Sequence, residues 1–170
     1  MDQSKNLRRS FLKISFMSIG GSLIALPVLS RSLTNKPIQT KEPIKPEMVK
    51  EFVISGHKNL DKVKLLLEQE PNLVNATWDW GGGDYETAVG GAGHMGRADI
   101  AEFLLSKGAR IDIFCSAMLG RLDFIKPVLE AYPSLKTSKG PHGLTLLHHA
   151  RQGGEKAKEV LDYLTGIGAS

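Results

Sequence analysis

Apolar residues recur in short blocks along the chain from residue 48 onward, and each block follows a glycine-containing turn. Within a block they are spaced like one face of a helix and do not alternate as in a strand. The pattern predicts short helices, each with one buried stripe, and we expect Leu105 and Leu147 to be buried. The four blocks whose leucine pairs align are 63–67, 100–105, 124–129 and 160–164.

The segment before the fourth block reads Gly-Leu-Thr-Leu-Leu-His-His-Ala over residues 143–150. It resembles the ankyrin repeat, whose Gly-x-Thr-Pro-Leu-His-x-Ala pattern it matches except that Leu146 replaces the usual proline. Thr87 begins a second, weaker match, with Gly90 at the histidine position. The resemblance covers residues 48–169 and implies an all-α, ankyrin-type helical repeat solenoid of about four repeats, two of them degenerate.

The resemblance also implies structural roles for residues that could otherwise carry chemistry. An ankyrin-type Thr–His pair forms a hydrogen bond in the turn that starts the first helix, so Thr145 and His148 are expected to serve that turn. Cys115 is the only cysteine, which excludes an intramolecular disulfide. We expect Cys115 in the core beside Ala117, without the basic surroundings that make a thiol reactive.

The spacing of the blocks is uneven at the third repeat. Leu104 and Val128 are 24 residues apart, fewer than the about 33 residues of a full ankyrin unit. We therefore expect the third repeat to lack an extended finger and to pass from Ile111 almost directly into its helix.

The connection between the first and second repeats is longer than the ankyrin pattern requires, and its extra residues read Trp-Asp-Trp-Gly-Gly-Gly-Asp-Tyr-Glu over 78–86. In an extended segment, Trp78 and Trp80 would share one face and Asp79 would lie on the other. The three glycines allow the backbone to turn back with positive φ. The segment is thus predicted to be an aromatic, acidic loop.

Three interpretations of this loop remain open. It could recognise a partner, since tryptophan and tyrosine dominate binding hot spots. It could instead cover the apolar side of the first repeats, or bind calcium through Asp79, Asp84 and Glu86 in a spacing unlike that of an EF-hand. Under the recognition hypothesis, the partner-binding residues are Trp78, Asp79, Trp80, Asp84, Tyr85, Glu86 and His94.

Residues 91–96 offer an alternative, because Gly-Ala-Gly-His-Met-Gly fits the G-x-G-x-x-G pattern of a dinucleotide-binding turn before an amphipathic helix. Only Ala88 and Val89 precede it where a buried parallel strand should stand. No acidic residue ends the apolar run that follows. A small exported nucleotide- or ligand-binding protein or enzyme that uses the turn from Gly91 to Gly96 is therefore the alternative function.

The remaining histidines, His57, His94 and His142, are isolated in sequence. Stacking of the first two repeats could bring His57 and His94 together, but a histidine in a turn or at the surface is the commoner case. The chain has no His-Glu-x-x-His pattern and no Gly-x-Ser-x-Gly outside its first 30 residues. We therefore predict no catalytic residue, no metal ligand and no cofactor.

The N-terminus resembles a bacterial twin-arginine export signal. The residues that carry the resemblance precede an uncharged, mildly apolar run that extends to Ser30 and is shorter than a spanning helix needs. We expect residues 1–30 to be a signal peptide, residues 31–47 a Pro/Lys-rich linker, and residues 48–170 the ankyrin-like domain. The export-signal residues are Arg8, Arg9, Phe11, Leu12 and Lys13.

Most of the net charge of +4 lies in the predicted signal, and residues 31–170 carry 18 basic and 17 acidic side chains. This balance argues against a nucleic-acid partner. The sequence therefore predicts an exported, periplasmic, non-catalytic module that mediates protein–protein interaction through its repeat fingers and the aromatic, acidic loop. The partner is expected to be an unidentified protein, and the chain a monomer without stable membrane insertion after signal cleavage.

Overall fold

The computed structural model describes residues 42–170. The predicted signal peptide and residues 31–41 of the predicted linker lie outside the described residues. Within them the fold is mainly helical, as the apolar pattern predicted, with one small sheet. The helices are α1 (Pro46–Gly56), α2 (Leu60–Gln69), α3 (Ala88–His94), α4 (Ala98–Ser106), α5 (Ile113–Met118), α6 (Leu122–Ala131), α7 (Leu146–Gln152) and α8 (Lys158–Gly166), and the strands are β1 (Thr77–Asp79) and β2 (Tyr85–Thr87).

The helices pack in pairs that follow one another along the chain. Helix α1 packs on α2, α3 on α4, α5 on α6, and α7 on α8. The first helices of the pairs also contact in series, α1 with α3, α3 with α5, and α5 with α7. The four helices predicted from the apolar blocks are α2, α4, α6 and α8, and all four are confirmed. No helix in the described part of the chain is long and apolar enough to cross a bilayer.

The prediction that Leu105 and Leu147 are buried was wrong by one residue in each case. Leu104 and Leu146 are almost fully buried, at 0% and 1% exposure, whereas their neighbours are half-buried. Consecutive helical residues point about 100° apart, so only one of two adjacent leucines faces the core. The placement of Cys115 and Ala117 in the core is confirmed, since both are fully buried.

The short connection between α4 and α5 also agrees with the expectation. No strand lies between residues 107 and 112, and Asp112 caps α5 by accepting a hydrogen bond from the Cys115 amide. In the turn before α7, the Thr145 hydroxyl accepts a hydrogen bond from the backbone amide of His148 at 3.3 Å. The His148 ring turns elsewhere, with Nε2 at 3.1 Å from the His94 carbonyl oxygen.

Glycines 91 and 93 lie inside helix α3 and do not form a loop. A Cβ atom at Gly93 would lie 3.2 Å from Cys115 Cα, so α3 and α5 approach closely there. The strand before α3 belongs to a two-stranded antiparallel hairpin and not to a buried parallel sheet. The strand–turn–helix arrangement that a dinucleotide-binding turn needs is therefore not formed at residues 91–96.

The aromatic, acidic loop forms a hairpin between α2 and α3. Strands β1 and β2 pair antiparallel, with Trp78 opposite Glu86. Gly81, Gly82 and Gly83 all have positive φ angles, of 122°, 65° and 88°, which confirms the predicted glycine turn. The hairpin ends at Thr87, whose hydroxyl caps helix α3. Glu86 is thereby held directly before that helix.

Candidate functional site

Four side chains from four separate segments converge at one end of the hairpin. They are His57, Glu86, His94 and His142, and one ligand atom from each lies within 4.8 Å of those from the other three. His57 follows α1, Glu86 belongs to β2, His94 ends α3, and His142 lies in the turn before α7. We call this group the His–Glu centre.

His57 is oriented by the backbone of the helix that precedes it. Its Nδ1 lies 2.9 Å from the Val53 carbonyl oxygen, which can only accept a hydrogen bond, so Nδ1 carries the proton. The other ring nitrogen, Nε2, lies 3.3 Å from Glu86 Oε2. The ring packs against Gly91, where a Cβ atom would lie only 2.8 Å away. Glycine at position 91 therefore makes room for the His57 ring.

Glu86 is the acidic member of the centre, and its side chain is fully buried. The Trp80 indole donates a hydrogen bond of 2.8 Å to Oε2. Burial alone would raise the pKa of this carboxyl, but the neighbouring His57 and His94 imidazoles and the Trp80 indole outweigh burial and lower the pKa to about 2. In turn, Glu86 raises the pKa of His57 against the opposing effect of burial.

His94 approaches the other oxygen of Glu86. Its Nε2 lies 2.9 Å from Glu86 Oε1, and only 9% of the His94 side chain is exposed. The two atoms are at ion-pair distance but not aligned for a hydrogen bond, and among the described residues both are buried without another hydrogen-bond partner. Buried polar atoms are nearly always paired, so this pair requires an explanation.

His142 completes the centre from the turn before α7. Its backbone has a φ of 59°, in the left-handed region that non-glycine residues seldom adopt. Asp84 accepts a hydrogen bond from the His142 backbone amide at 2.9 Å, and its other oxygen lies 2.8 Å from His142 Nδ1. A carboxylate accepts, so Nδ1 carries the proton and Nε2, at 3.5 Å from Glu86 Oε2, is left free as a lone-pair donor.

Trp80 covers the side of the centre on which His57 and His142 lie. Its ring centroid lies 6.3 Å from that of His57 and 5.8 Å from that of His142. The side chains of His57 and His142 are 18% and 34% exposed, whereas Glu86 is buried beneath them. The centre therefore lies at the edge of the domain, with one buried side and one side near solvent.

The spacing of the donor atoms suits a metal ion. A tetrahedral ion with bonds of about 2.1 Å separates its ligands by about 3.4 Å. The three histidine nitrogens lie 3.3, 2.9 and 3.5 Å from oxygens of Glu86. These contacts involve both oxygens of Glu86, and the four ligand atoms lie within 4.8 Å of one another, close enough for one small cation to reach them with modest side-chain adjustment.

The other residues predicted to bind a partner are spread over the hairpin. Tyr85 is 62% exposed, Asp79 is exposed and accepts a hydrogen bond from the Gly81 amide, and Trp78 is half-buried beneath Lys50, whose Nζ lies 5.3 Å from its ring. Trp80, Asp84, Glu86 and His94 instead belong to the His–Glu centre or contact it.

The sequence favoured His57 and His94 as separate turn or surface histidines and gave their approach only as a possibility. The structure shows the possibility that was not favoured, with ring centroids 4.8 Å apart. Nothing in the sequence indicated that His142 belongs to the centre, because 48 residues separate it from His94. The possible calcium trio does not form as a group: Glu86 faces the histidines, and Asp84 orients one of them.

Comparison with known proteins finds no family model that matches this chain. It also finds no match among curated proteins.

Proposed function

We propose that this protein binds one divalent transition-metal ion at the His–Glu centre. The observation that carries the proposal is the pair Glu86 Oε1 and His94 Nε2, which lie buried, 2.9 Å apart and without hydrogen-bond partners. An unpaired buried polar atom costs about 1–3 kcal/mol. A cation between the two atoms satisfies both, because each then directs a lone pair at the ion.

The donor set indicates the class of ion. Three imidazole nitrogens and one carboxylate oxygen suit zinc, iron, cobalt or nickel, whereas calcium and magnesium prefer oxygen ligands. The prediction from sequence assigned no metal, and the calcium alternative used carboxylates alone. The proposal therefore replaces both with a nitrogen-rich site.

The surroundings of the ligands support the same assignment. His57 and His142 each have Nδ1 beside an oxygen that only accepts hydrogen bonds, the Val53 carbonyl in one case and the Asp84 carboxylate in the other. Such partners fix the tautomer and leave Nε2 for the metal, as is usual for histidine ligands. In both residues Nε2 is also the nitrogen nearest Glu86.

We further propose that the scaffold is an exported, ankyrin-like repeat domain. The Gly-x-Thr-x-Leu-His-x-Ala pattern at residues 143–150 and the serial packing of helix pairs support the repeat assignment. The Arg8-Arg9 motif supports export to the periplasm. Replacing both arginines with lysine should retain folded protein inside the cell, and export at the wild-type yield would contradict the assignment.

A second candidate function is protein binding at the hairpin. Tyr85 at 62% exposure and Trp80 at 37% exposure favour it, because exposed aromatic side chains are common hot spots. The partner would be an unidentified protein, and a monomeric chain would present the hairpin. Metal binding and partner binding are compatible, since Tyr85 is not one of the four residues of the centre.

Equilibrium dialysis of the purified full-length chain against zinc tests the proposal. We expect one ion per chain, with affinity lowered at least about 100-fold in Glu86→Gln and in His142→Ala, because even partners outside the ligand set cost about 10–100-fold. Glu68→Gln is the matched control, as Glu68 is exposed on α2. No bound zinc, or equal binding by Glu86→Gln and wild type, would overturn the proposal.

A further inference from the structure

Three exposed apolar side chains lie together beside the His–Glu centre. Ile54, Trp80 and Met95 are 39%, 37% and 50% exposed. Together they line an open cleft of about 300 Å³, whose other walls are His57 and Lys58. This volume is at the lower end of the range for small-molecule sites.

The cleft and the centre share two side chains. His57 lines the cleft with its ring and directs Nε2 at Glu86 Oε2, 3.3 Å away. Trp80 lines the cleft and donates its indole hydrogen to the same oxygen at 2.8 Å. A molecule in the cleft therefore contacts His57 and Trp80, and a group that reaches past these two side chains would arrive at Glu86 Oε2.

Charge decides which end of such a molecule faces the metal. A divalent ion, the Glu86 and Asp84 carboxylates and three neutral imidazoles together have no net charge, so Lys58 supplies the positive charge at the cleft. An anionic head group is attracted to this end. The walls from Ile54, Trp80 and Met95 are apolar, so the body of the molecule gains from burial there.

We propose that this cleft binds a small organic carboxylate, with its carboxylate on the metal and its apolar body against Ile54, Trp80 and Met95. The inference rests on the metal centre proposed above. Ions such as cobalt and iron can take more than four ligands, so an ion held by the four protein side chains would have a further position for the carboxylate. Inorganic anions fill that position without using the apolar walls.

Titration of the cobalt-loaded full-length chain with benzoate and with acetate tests the inference. The visible absorption of bound Co²⁺ reports a change of ligand, and tryptophan emission reports occupation of the cleft beside Trp80. We expect both signals to change with benzoate, and benzoate to bind at least about tenfold more tightly than acetate, because its ring buries additional apolar area.

Two variants remove the apolar walls without adding charge. In Met95→Gln and in Ile54→Asn we expect cobalt still to bind, while the preference for benzoate over acetate falls to less than about threefold. Leu65→Asn is the matched control, because Leu65 is 45% exposed on α2 and does not line the cleft. The control should keep the wild-type preference.

The outcomes separate this inference from the proposed function. If cobalt does not bind the wild-type chain, the metal centre fails and the carboxylate site fails with it. If cobalt binds but benzoate leaves its spectrum unchanged, the carboxylate site alone is overturned. Equal affinities for benzoate and acetate, or an unchanged preference in both cleft variants, would also overturn it.

Discussion

Asp84 holds His142 at two points, accepting a hydrogen bond from its backbone amide and contacting its ring nitrogen Nδ1. The two residues are 58 positions apart in sequence. Asp84 lies in the same hairpin as Glu86, so the hairpin contributes one ligand of the centre and orients another. The left-handed φ of His142 is maintained by this double contact.

Replacing Asp84 with Asn is expected to weaken metal binding about 10–100-fold, because an amide is a poorer orienting partner for the imidazole than a carboxylate is. Isothermal titration with zinc measures the change. Asp79→Asn is the matched control, since Asp79 lies in the same hairpin and, among residues 42–170, its side chain bonds only to the Gly81 amide. Equal losses in both variants would show that hairpin stability, and not His142 orientation, sets the affinity.

Metal affinity is expected to fall as the pH is lowered from about 8 to about 6, because protons compete for the imidazoles. Glu86 raises the pKa of His57, so His57 in the metal-free protein keeps its second proton at a higher pH than an ordinary histidine does. Glu86 itself, with a pKa of about 2, stays ionised throughout. Zinc titrations across this range should show proton release on binding; a constant affinity would contradict the histidine ligands.

The substitution Gly91→Ala is expected to lower both stability and metal affinity. Alanine is favoured over glycine in a helix by about 1 kcal/mol, but its Cβ would lie 2.8 Å from the His57 ring and displace it. Gly166→Ala in α8 is the control, as no atom in the described part of the chain lies within 4 Å of a Cβ there. We expect urea unfolding to show a loss at position 91 and no loss at position 166; a more stable Gly91→Ala with intact zinc binding would be the contrary result.

Adjacent leucines in α4 should differ in their contribution to stability. Leu104→Ala is expected to cost about 2–5 kcal/mol, because the side chain is fully buried. Leu105→Ala, from a half-buried position, should cost clearly less. Chemical denaturation of the two variants compares them directly, and an equal or larger loss at Leu105 would contradict the observed face of the helix.

Removal of the ion should destabilise the folded chain. At a free zinc concentration of about 100 times Kd, binding to the folded state alone adds about 2.7 kcal/mol. We expect the thermal midpoint to rise with zinc and to return with a chelator. Glu86→Gln should show no such rise, and a zinc-dependent shift of wild-type size in this variant would place the ion elsewhere.

Local patterns in the sequence were sufficient for the helices and for the glycine turn. The stripe through Ile100 and Leu104 repeats every four residues, and such a period depends only on neighbours along the chain. Gly81, Gly82 and Gly83 have positive φ for an equally local reason, since they lack a Cβ. Which of Leu104 and Leu105 is buried could not be predicted from neighbouring residues, because it depends on the surface against which α4 packs.

Only the tertiary structure decided that the histidines and Glu86 form one centre. Neither His57 nor His142 lies in a motif with Glu86, and their approach depends on the packing of α1 and of the turn before α7 around α3. Gly91 is a second example. Its sequence pattern fits a dinucleotide-binding turn, but the residue lies inside helix α3, and its lack of a side chain leaves room for the His57 ring. Sequence periodicity shows on which face of its own helix or strand a residue lies. A site built from four segments depends instead on how those segments pack against one another.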